Sequence, residues 1–198
     1  MFEETVGVIL AGGQSRRMGT DKAFLEIEGI PLITRIIDTL LPIFPTVAIV
    51  SKDIQKFSSI QGAQLIQDLF QEQHALGGIY TALSAFPGKD CFVFACDLPF
   101  LNASLIHSMM EEKNGYDLFI PKSRHGLEPL HAIYTEKCLK AMKKQIRRKR
   151  WSLGFLVSQL RSGIYDLSSL RAFDPEERCL MNVNTPHDLR MAEKNRDA

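Results

Sequence analysis

The chain has 198 residues, 45% of them apolar, with 24 lysines and arginines against 23 acids and a formal net charge of +1. That is enough apolar material for one packed domain and too much for a disordered chain. A near-neutral balance gives no bulk pull toward nucleic acid or membrane, so any anion must be held by a local cluster.

Taken in chain order, short apolar runs alternate with amphipathic segments. Residues 6–10 (Val-Gly-Val-Ile-Leu) read as a strand. Residues 31–41 carry Leu32, Ile33, Ile36, Ile37, Leu40 and Leu41 at helical spacing, with Pro31 suited to a first helical turn. Strands are expected over 46–50 and 64–67, then a helix over 79–86 preceded by Gly77-Gly78. Residues 91–95 form the continuous apolar run of a buried parallel strand. A helix over 104–112 follows Asn102, a plausible N-cap. Strands over 118–121 and 130–134, helices over 136–146 and 152–160, a strand over 163–167 and a helix over 185–193 complete the series. Such alternation implies an α/β fold, with a mostly parallel sheet covered by helices on both faces. Ligands of such sheets bind at the carboxyl ends of the strands.

The segment after the first strand carries the strongest chemistry. Three glycines, Gly12, Gly13 and Gly19, share a loop with Arg16, Arg17 and Lys22. Glycines let main-chain N–H groups approach anionic oxygens, and fixed cations balance the charge of a polyphosphate. The loop is not a Walker A motif, because five residues separate Gly13 from Gly19 and Lys22 comes three later. Nor is it a dinucleotide fingerprint, since Gly12 and Gly13 are adjacent.

Cys96-Asp97-Leu98-Pro99 follows the buried run, so Asp97 stands at the mouth of a central strand. By itself Asp97 reads equally as a turn residue and as a Mg²⁺ ligand. The glycine loop on the same edge favours the metal. Asp68 closes another strand on that edge and is either a surface turn residue or an acceptor for a base or ribose. Gly77-Gly78 offers unpaired N–H groups to an anion, or simply a turn.

The four cysteines, Cys91, Cys96, Cys138 and Cys179, include no C-x-x-C pair, and Cys91 and Cys96 read as buried thiols. Glu3 and Glu4 stand where a signal peptide would be cationic, and no apolar run approaches the ~18 residues of a membrane span. The expectation is a soluble cytoplasmic protein. The basic run from Lys143 to Arg150 is a solvated helix face or, less readily, a nucleic-acid contact. His74, His107, His125, His131 and His187 show no metal-ligand spacing.

Together the motifs resemble those of the molybdenum cofactor guanylyltransferases, bacterial members of the wider nucleotidyltransferase family. The matching stretches start with Leu10-Ala11-Gly12-Gly13-Gln14-Ser15-Arg16-Arg17-Met18-Gly19-Thr20-Asp21-Lys22-Ala23, Ala75-Leu76-Gly77-Gly78-Ile79 and Cys96-Asp97-Leu98-Pro99. Glu128-Pro129-Leu130-His131-Ala132 and Asn182-Val183-Asn184-Thr185-Pro186 follow. They occur in family order and span nearly the whole chain.

The resemblance implies a single Rossmann-like nucleotidyltransferase domain over 1–198, with 1–100 mainly binding nucleotide and 101–198 mainly binding the acceptor. It implies transfer of GMP from GTP to molybdopterin, giving the guanine dinucleotide cofactor and pyrophosphate. By position, Leu10, Ala11, Gly12, Gly13 and Lys22 match the GTP loop, with Arg16 and Arg17 beside Lys22 as helpers at the phosphates. Asp68 matches a nucleotide-binding carboxylate, and Asp97 the residue that binds Mg²⁺ and GTP. Gly77 and Gly78 fall on the nucleotide side. Asn182 and Asn184 match asparagines of the acceptor site, and Arg150 the arginine before the next helix, though Trp151 replaces a small aliphatic residue. The resemblance also adds a third reading of the basic run from Lys143 to Arg150, in which part of it meets a phosphorylated pterin. Ser51 stands where relatives carry an asparagine, which puts its nucleotide contact in doubt. The implied partners are GTP, Mo-bound molybdopterin and the proteins that deliver it or mature a molybdoenzyme, with no nucleic acid and no membrane. A nucleotidyltransferase using CTP or another phosphate acceptor, and a non-catalytic GTP-binding regulator, are the alternatives.

Overall fold

The computed structural model describes residues 1–12, 22–72, 74–166, 168, 171, 174–183 and 188–190. The β-branched run at the start forms β1 (Thr5–Leu10), buried along almost its whole length, which places it in the centre of the sheet. A short antiparallel ribbon follows, β2 (Glu26–Ile27) and β3 (Ile30–Pro31), turning through Glu28 and Gly29, both at positive φ. Then come α1 (Leu32–Leu40), β4 (Val47–Ser51), β5 (Gln64–Gln67), α2 (Ala75–Ala85), β6 (Asp90–Ala95) and α3 (Ala103–Glu112). The second half comprises β7 (Leu118–Ser123), β8 (Gly126–Leu127), β9 (His131–Tyr134), α4 (Cys138–Arg147), α5 (Leu153–Val157) and β10 (Ser162–Asp166).

The sheet runs β10-β7-β9-β6-β1-β4-β5, with β8 paired to β7. β1 pairs in parallel with both β4 and β6, β4 with β5, and β10 with β7. Strand alternation splits the core into two layers. One layer joins Ile9, Ile49, Phe92 and Phe94 to α1 and α3. The other joins Val6, Val8, Val50 and Val93 to α2, α4 and Leu156 of α5. This is the expected α/β domain with helices on both faces. Gly7 is required by the first layer, since a Cβ there would sit 2.8 Å from Cδ2 of Phe44.

The strand expected over 130–134 is β9, and it runs antiparallel to β6 and β7 within the mostly parallel sheet. Only three residues separate β8 from β9, too few for the crossover a parallel neighbour needs. The helix expected over 79–86 starts at Ala75, so Gly77 and Gly78 lie inside its first turns rather than before it. The helix expected over 152–160 is the shorter α5, with Ser152 as its N-cap accepting from the N–H of Phe155. The Asn102 cap is as expected, its side chain accepting from the N–H of Leu105 at 3.1 Å. Of the last expected helix, 188–190 is helical and the remainder lies outside the described residues. Among the described residues no helix is long and apolar enough to cross a membrane.

Candidate active site

In this sheet β1, β4, β5 and β6 all end on one edge, and each end carries a polar or open group. Beyond β1, the N–H of Ala11 donates to the carbonyl of Val50 and the N–H of Cys96 to that of Leu10, so the ladder extends one residue past each strand. Ala11 is buried, while an added Cβ at Gly12 would meet no described residue within 4 Å. Among the described residues the main chain at Gly12 is thus uncovered, as close approach of a ligand requires.

Asp97 lies just past β6. Its Oδ2 is 3.1 Å from Nζ of Lys22, with the two side chains 16% and 23% exposed. An ion pair this open to water is worth only about 1 kcal/mol. It is weak enough to be exchanged for a phosphate on the lysine and a cation on the carboxylate. The carbonyl of Asp97 accepts from the N–H of Val183 at 2.9 Å, which draws the segment carrying the exposed Asn182 beside the carboxylate. Val183 is fully buried against Ile27 and Leu32, so this junction is fixed by packing.

Asp68, just past β5, is 9% exposed and heavily engaged. Its Oδ1 accepts from the hydroxyl of Thr81 at 2.9 Å and the N–H of Phe70 at 3.2 Å, and its Oδ2 from Nζ of Lys52 at 2.9 Å. Lys52 also donates to the carbonyl of Phe70. Asp68 thus holds the β5–α2 corner together. Ser51 is 4% exposed; its hydroxyl donates to the carbonyl of Ala11 at 3.0 Å and accepts from the N–H of Asp53. Its hydroxyl thus ties the end of β4 to the main chain at Ala11.

The glycine pair is corrected. The N–H groups of Gly77 and Gly78 both donate to the carbonyl of His74, so neither is an open anion donor. Their function is close packing: a Cβ on Gly77 would come 3.1 Å from Phe70, and one on Gly78 3.1 Å from Leu10. Arg150 is exposed, with its guanidinium 5.4 Å from the ring centre of Phe155. Its neighbour Trp151 belongs to the α2–α4 layer, whereas Leu180, near Asn182, belongs to the α1–α3 layer. Gly13, Arg16, Arg17 and Asn184 lie outside the described residues.

Several participants escaped the sequence reading. Lys52 was one that register could have found, because Ser51 pairs with Gln67 and the next residues, Lys52 and Asp68, must therefore be neighbours. Trp151 stacks on His74 at 4.6 Å and 15°, tying the end of α4 to the start of α2. Glu177, at φ 54°, accepts from the N–H of Arg124 at 3.1 Å and pairs with the guanidinium groups of Arg124 and Arg171, each at 3.4 Å. Burial pushes its carboxyl up, but these arginine contacts outweigh that and hold it below the usual carboxylate range. A cavity of about 400 Å³ lies beside this latch, lined by Arg124, His125, Glu128, Arg178 and Met181.

The described histidines supply no evident proton relay. His131 is fully buried between the ring edges of Phe92 and Phe94, and burial pushes it down to about 3. Burial pushes the thiols of Cys91, Cys138 and Cys179 up, so these three are inert. No group of three or more His, Cys, Asp or Glu side chains that could hold a metal occurs among the described residues. Asp97 alone suits a hard cation whose other ligands come from phosphates and water.

Comparison with known proteins identifies the family of this chain. Residues 7–160 match the family model of the MobA-like NTP transferase domain. A probable molybdenum cofactor guanylyltransferase of Pelotomaculum thermopropionicum is 36% identical over 94% of this chain and 90% of its own. The molybdenum cofactor guanylyltransferase of Desulfosudis oleivorans is 32% identical over 97% and 96%. The crystal structure of molybdopterin-guanine dinucleotide biosynthesis protein A from Archaeoglobus fulgidus superposes with a TM-score of 0.83 at 31% identity, covering 95% of this chain and 96% of that one. The chain belongs to the MobA-like NTP transferase family, among the molybdenum cofactor guanylyltransferases, and is a nucleotidyltransferase of molybdenum cofactor biosynthesis.

Proposed function

We propose that the enzyme transfers GMP from GTP to molybdopterin, releasing pyrophosphate, with Mg²⁺ as its cofactor. The observation that carries this reading is the Lys22–Asp97 pair, which joins a cation and a carboxylate at 3.1 Å where the glycine loop and β6 end side by side. Lys22 binds phosphate oxygens of the nucleotide, assisted by Arg16 and Arg17. Gly12 and Gly13 admit the phosphates, and Leu10 and Ala11 carry that loop. Asp97 would hold Mg²⁺ together with phosphate oxygens, and the bound ion would neutralise charge that develops at the α-phosphorus.

The acceptor's terminal phosphate monoester has a second pKa near ~6, so it is largely dianionic at neutral pH. It can attack the α-phosphorus without a protein base, in keeping with the absence of a suitably placed histidine among the described residues. Catalysis then rests on positioning and charge neutralisation. Asn182, beside Asp97 through Val183, contacts the acceptor together with Asn184 and Arg150. The cavity next to the Glu177 latch supports an acceptor-binding role for 101–198, with 1–100 mainly binding nucleotide. Asp68 and Ser51 serve the nucleotide by fixing the corner and loop that hold it. The reaction takes place in the cytoplasm, with neither nucleic acid nor membrane as a partner.

The test is incubation of the purified protein with molybdopterin and Mg²⁺ and, separately, GTP, CTP or ATP. Pyrophosphate release and product mass are followed. Release with GTP alone, and a product heavier than the acceptor by GMP less water, is the expected outcome. Equal turnover of CTP would overturn the guanylyl assignment.

A further inference from the structure

Eight lysines and arginines, Lys137, Lys140, Lys143, Lys144, Arg147, Arg148, Lys149 and Arg150, fall in the 14 residues of α4 and its flanks, a third of the chain's 24. All eight are exposed. Among the described residues none forms an ion pair with a carboxylate. Such an arrangement does nothing for the helix itself. Lys140, Lys144 and Arg148 are spaced i, i+4, i+8, where like charges repel by about 0.2–0.5 kcal/mol per pair. Lys137 also stands at the N-cap of α4, the wrong end of the helix dipole for a cation, and no acid occupies the first turn.

These cations border a groove. Lys137, Lys140, Lys144 and Arg148 form a stripe along one side of α4, facing Phe155, Gln159 and Leu160 on the α5 side across a cavity of about 300 Å³. The groove has apolar surface in Ala141, Leu160 and Phe155, the last 38% exposed. A buried amide braces its floor. Gln145 lines the groove and is only 3% exposed. Its Nε2 donates to the carbonyls of Arg150 and Ser152, both at 3.2 Å, which fixes the turn between α4 and α5.

We propose that the groove between α4 and α5 is a docking site for an acidic, amphipathic helix of a partner protein. Acids at i, i+4 and i+7 on such a helix match the stripe on α4, and an apolar residue between them meets Phe155 and Leu160. The guanidinium of Arg150 lies 5.4 Å from the centre of the Phe155 ring, while the ring stays 38% exposed and open to an apolar side chain. The groove ends at Arg150, next to Trp151 and its stack on His74 at the N-terminus of α2. A partner held there would lie along the protein and reach the edge where the nucleotide loop ends. The proposal stands on the groove itself and does not depend on which nucleotide or acceptor is used.

The experiment is a calorimetric titration of the purified protein at ~150 mM salt, where weak surface attraction is screened. Trp151, the chain's one tryptophan, gives a second signal by fluorescence. Three probes are compared: an acidic peptide of about 18 residues with glutamates and leucines on one helical face, a scrambled peptide of equal composition, and a single-stranded oligonucleotide of equal charge. The patterned peptide is expected to bind one to one, about tenfold or more tighter than the scrambled one. The double variant Lys140→Glu, Lys144→Glu is expected to lose that binding while keeping its melting temperature and its basal pyrophosphate-release rate. Equal binding of both peptides, tighter binding of the oligonucleotide, or binding that survives the double substitution in a folded protein each overturn the proposal.

Discussion

Asp68 and Asp97 each follow a parallel strand on the same edge of the sheet, yet the regions around them are built differently. At the end of β5, Asp68 accepts from Thr81, Phe70 and Lys52, and little of it reaches solvent. At the end of β6, the side chain of Asp97 has one pairing, to Lys22, and stays partly open. A saturated carboxylate fixes the backbone around it, because every lone pair drawn into a hydrogen bond restrains a partner. A carboxylate with capacity left can take on a ligand. The difference separates the part of the edge that holds shape from the part available for chemistry.

The sharpest way to break this comparison is Asp97→Asn, which keeps the shape and removes the charge. A fall in kcat of about 10²-fold or more is expected, the scale of losing one contact to transition-state charge. Thermal unfolding should move little, since the pair with Lys22 is solvent-exposed in part. Near-normal turnover would place the metal and the chemistry elsewhere.

Asp68→Ala should do the reverse. It strands Lys52 and removes three acceptor contacts, for about 2–3 kcal/mol of stability, or roughly 5–10 °C in Tm for a chain of this size. Adding Lys52→Ala should cost little more, because both changes break one pair. An additive double variant would show that the two residues act separately. A Tm unchanged by Asp68→Ala, with GTP binding lost, would make Asp68 a ligand rather than a brace.

Glu177 extends the closed pattern to the second half of the chain, and pH tests it. Its folded-state value lies below the ordinary carboxylate value because of Arg124 and Arg171. Its stabilisation is therefore complete above the unfolded value of about 4.3 and disappears as pH falls through the folded one. Glu177→Gln should lower stability by about 1–2 kcal/mol at neutral pH. The gap to wild type should narrow as melts are taken from pH 6 toward pH 3. A gap that widens in acid would contradict the assignment of charge to this latch.

The smallest expected effect is at Ser51. Ser51→Ala removes the hydroxyl from the carbonyl of Ala11 and should cost about 1 kcal/mol, with a modest rise in KM for GTP. A loss of GTP binding as large as that of Lys22→Ala would make Ser51 a direct ligand.

Much of the fold was legible in the chain. The β-branched run at 6–10 and the apolar run at 91–95 state their own burial, since only a strand covered on both faces is apolar throughout. Asn102 announced a cap through local geometry. Alternation of strands and helices forced the parallel ends, and with them Gly12, Asp68 and Asp97, onto one edge. What sequence alone left open was how each polar group is engaged. Lys22 and Asp97 are 75 residues apart, and Glu177 lies 53 from Arg124. Their pairing follows from which strands become neighbours, not from any local pattern. In isolation the glycine pair reads equally as an anion donor and as a turn, and only the side chains of Phe70 and Leu10 pressed against it show a closely packed site within a helix. Local sequence determined the elements and the edge they share. Tertiary contacts decided which carboxylate on that edge is saturated and which remains able to bind, because saturation depends on partners that only the assembled sheet brings within hydrogen-bond reach.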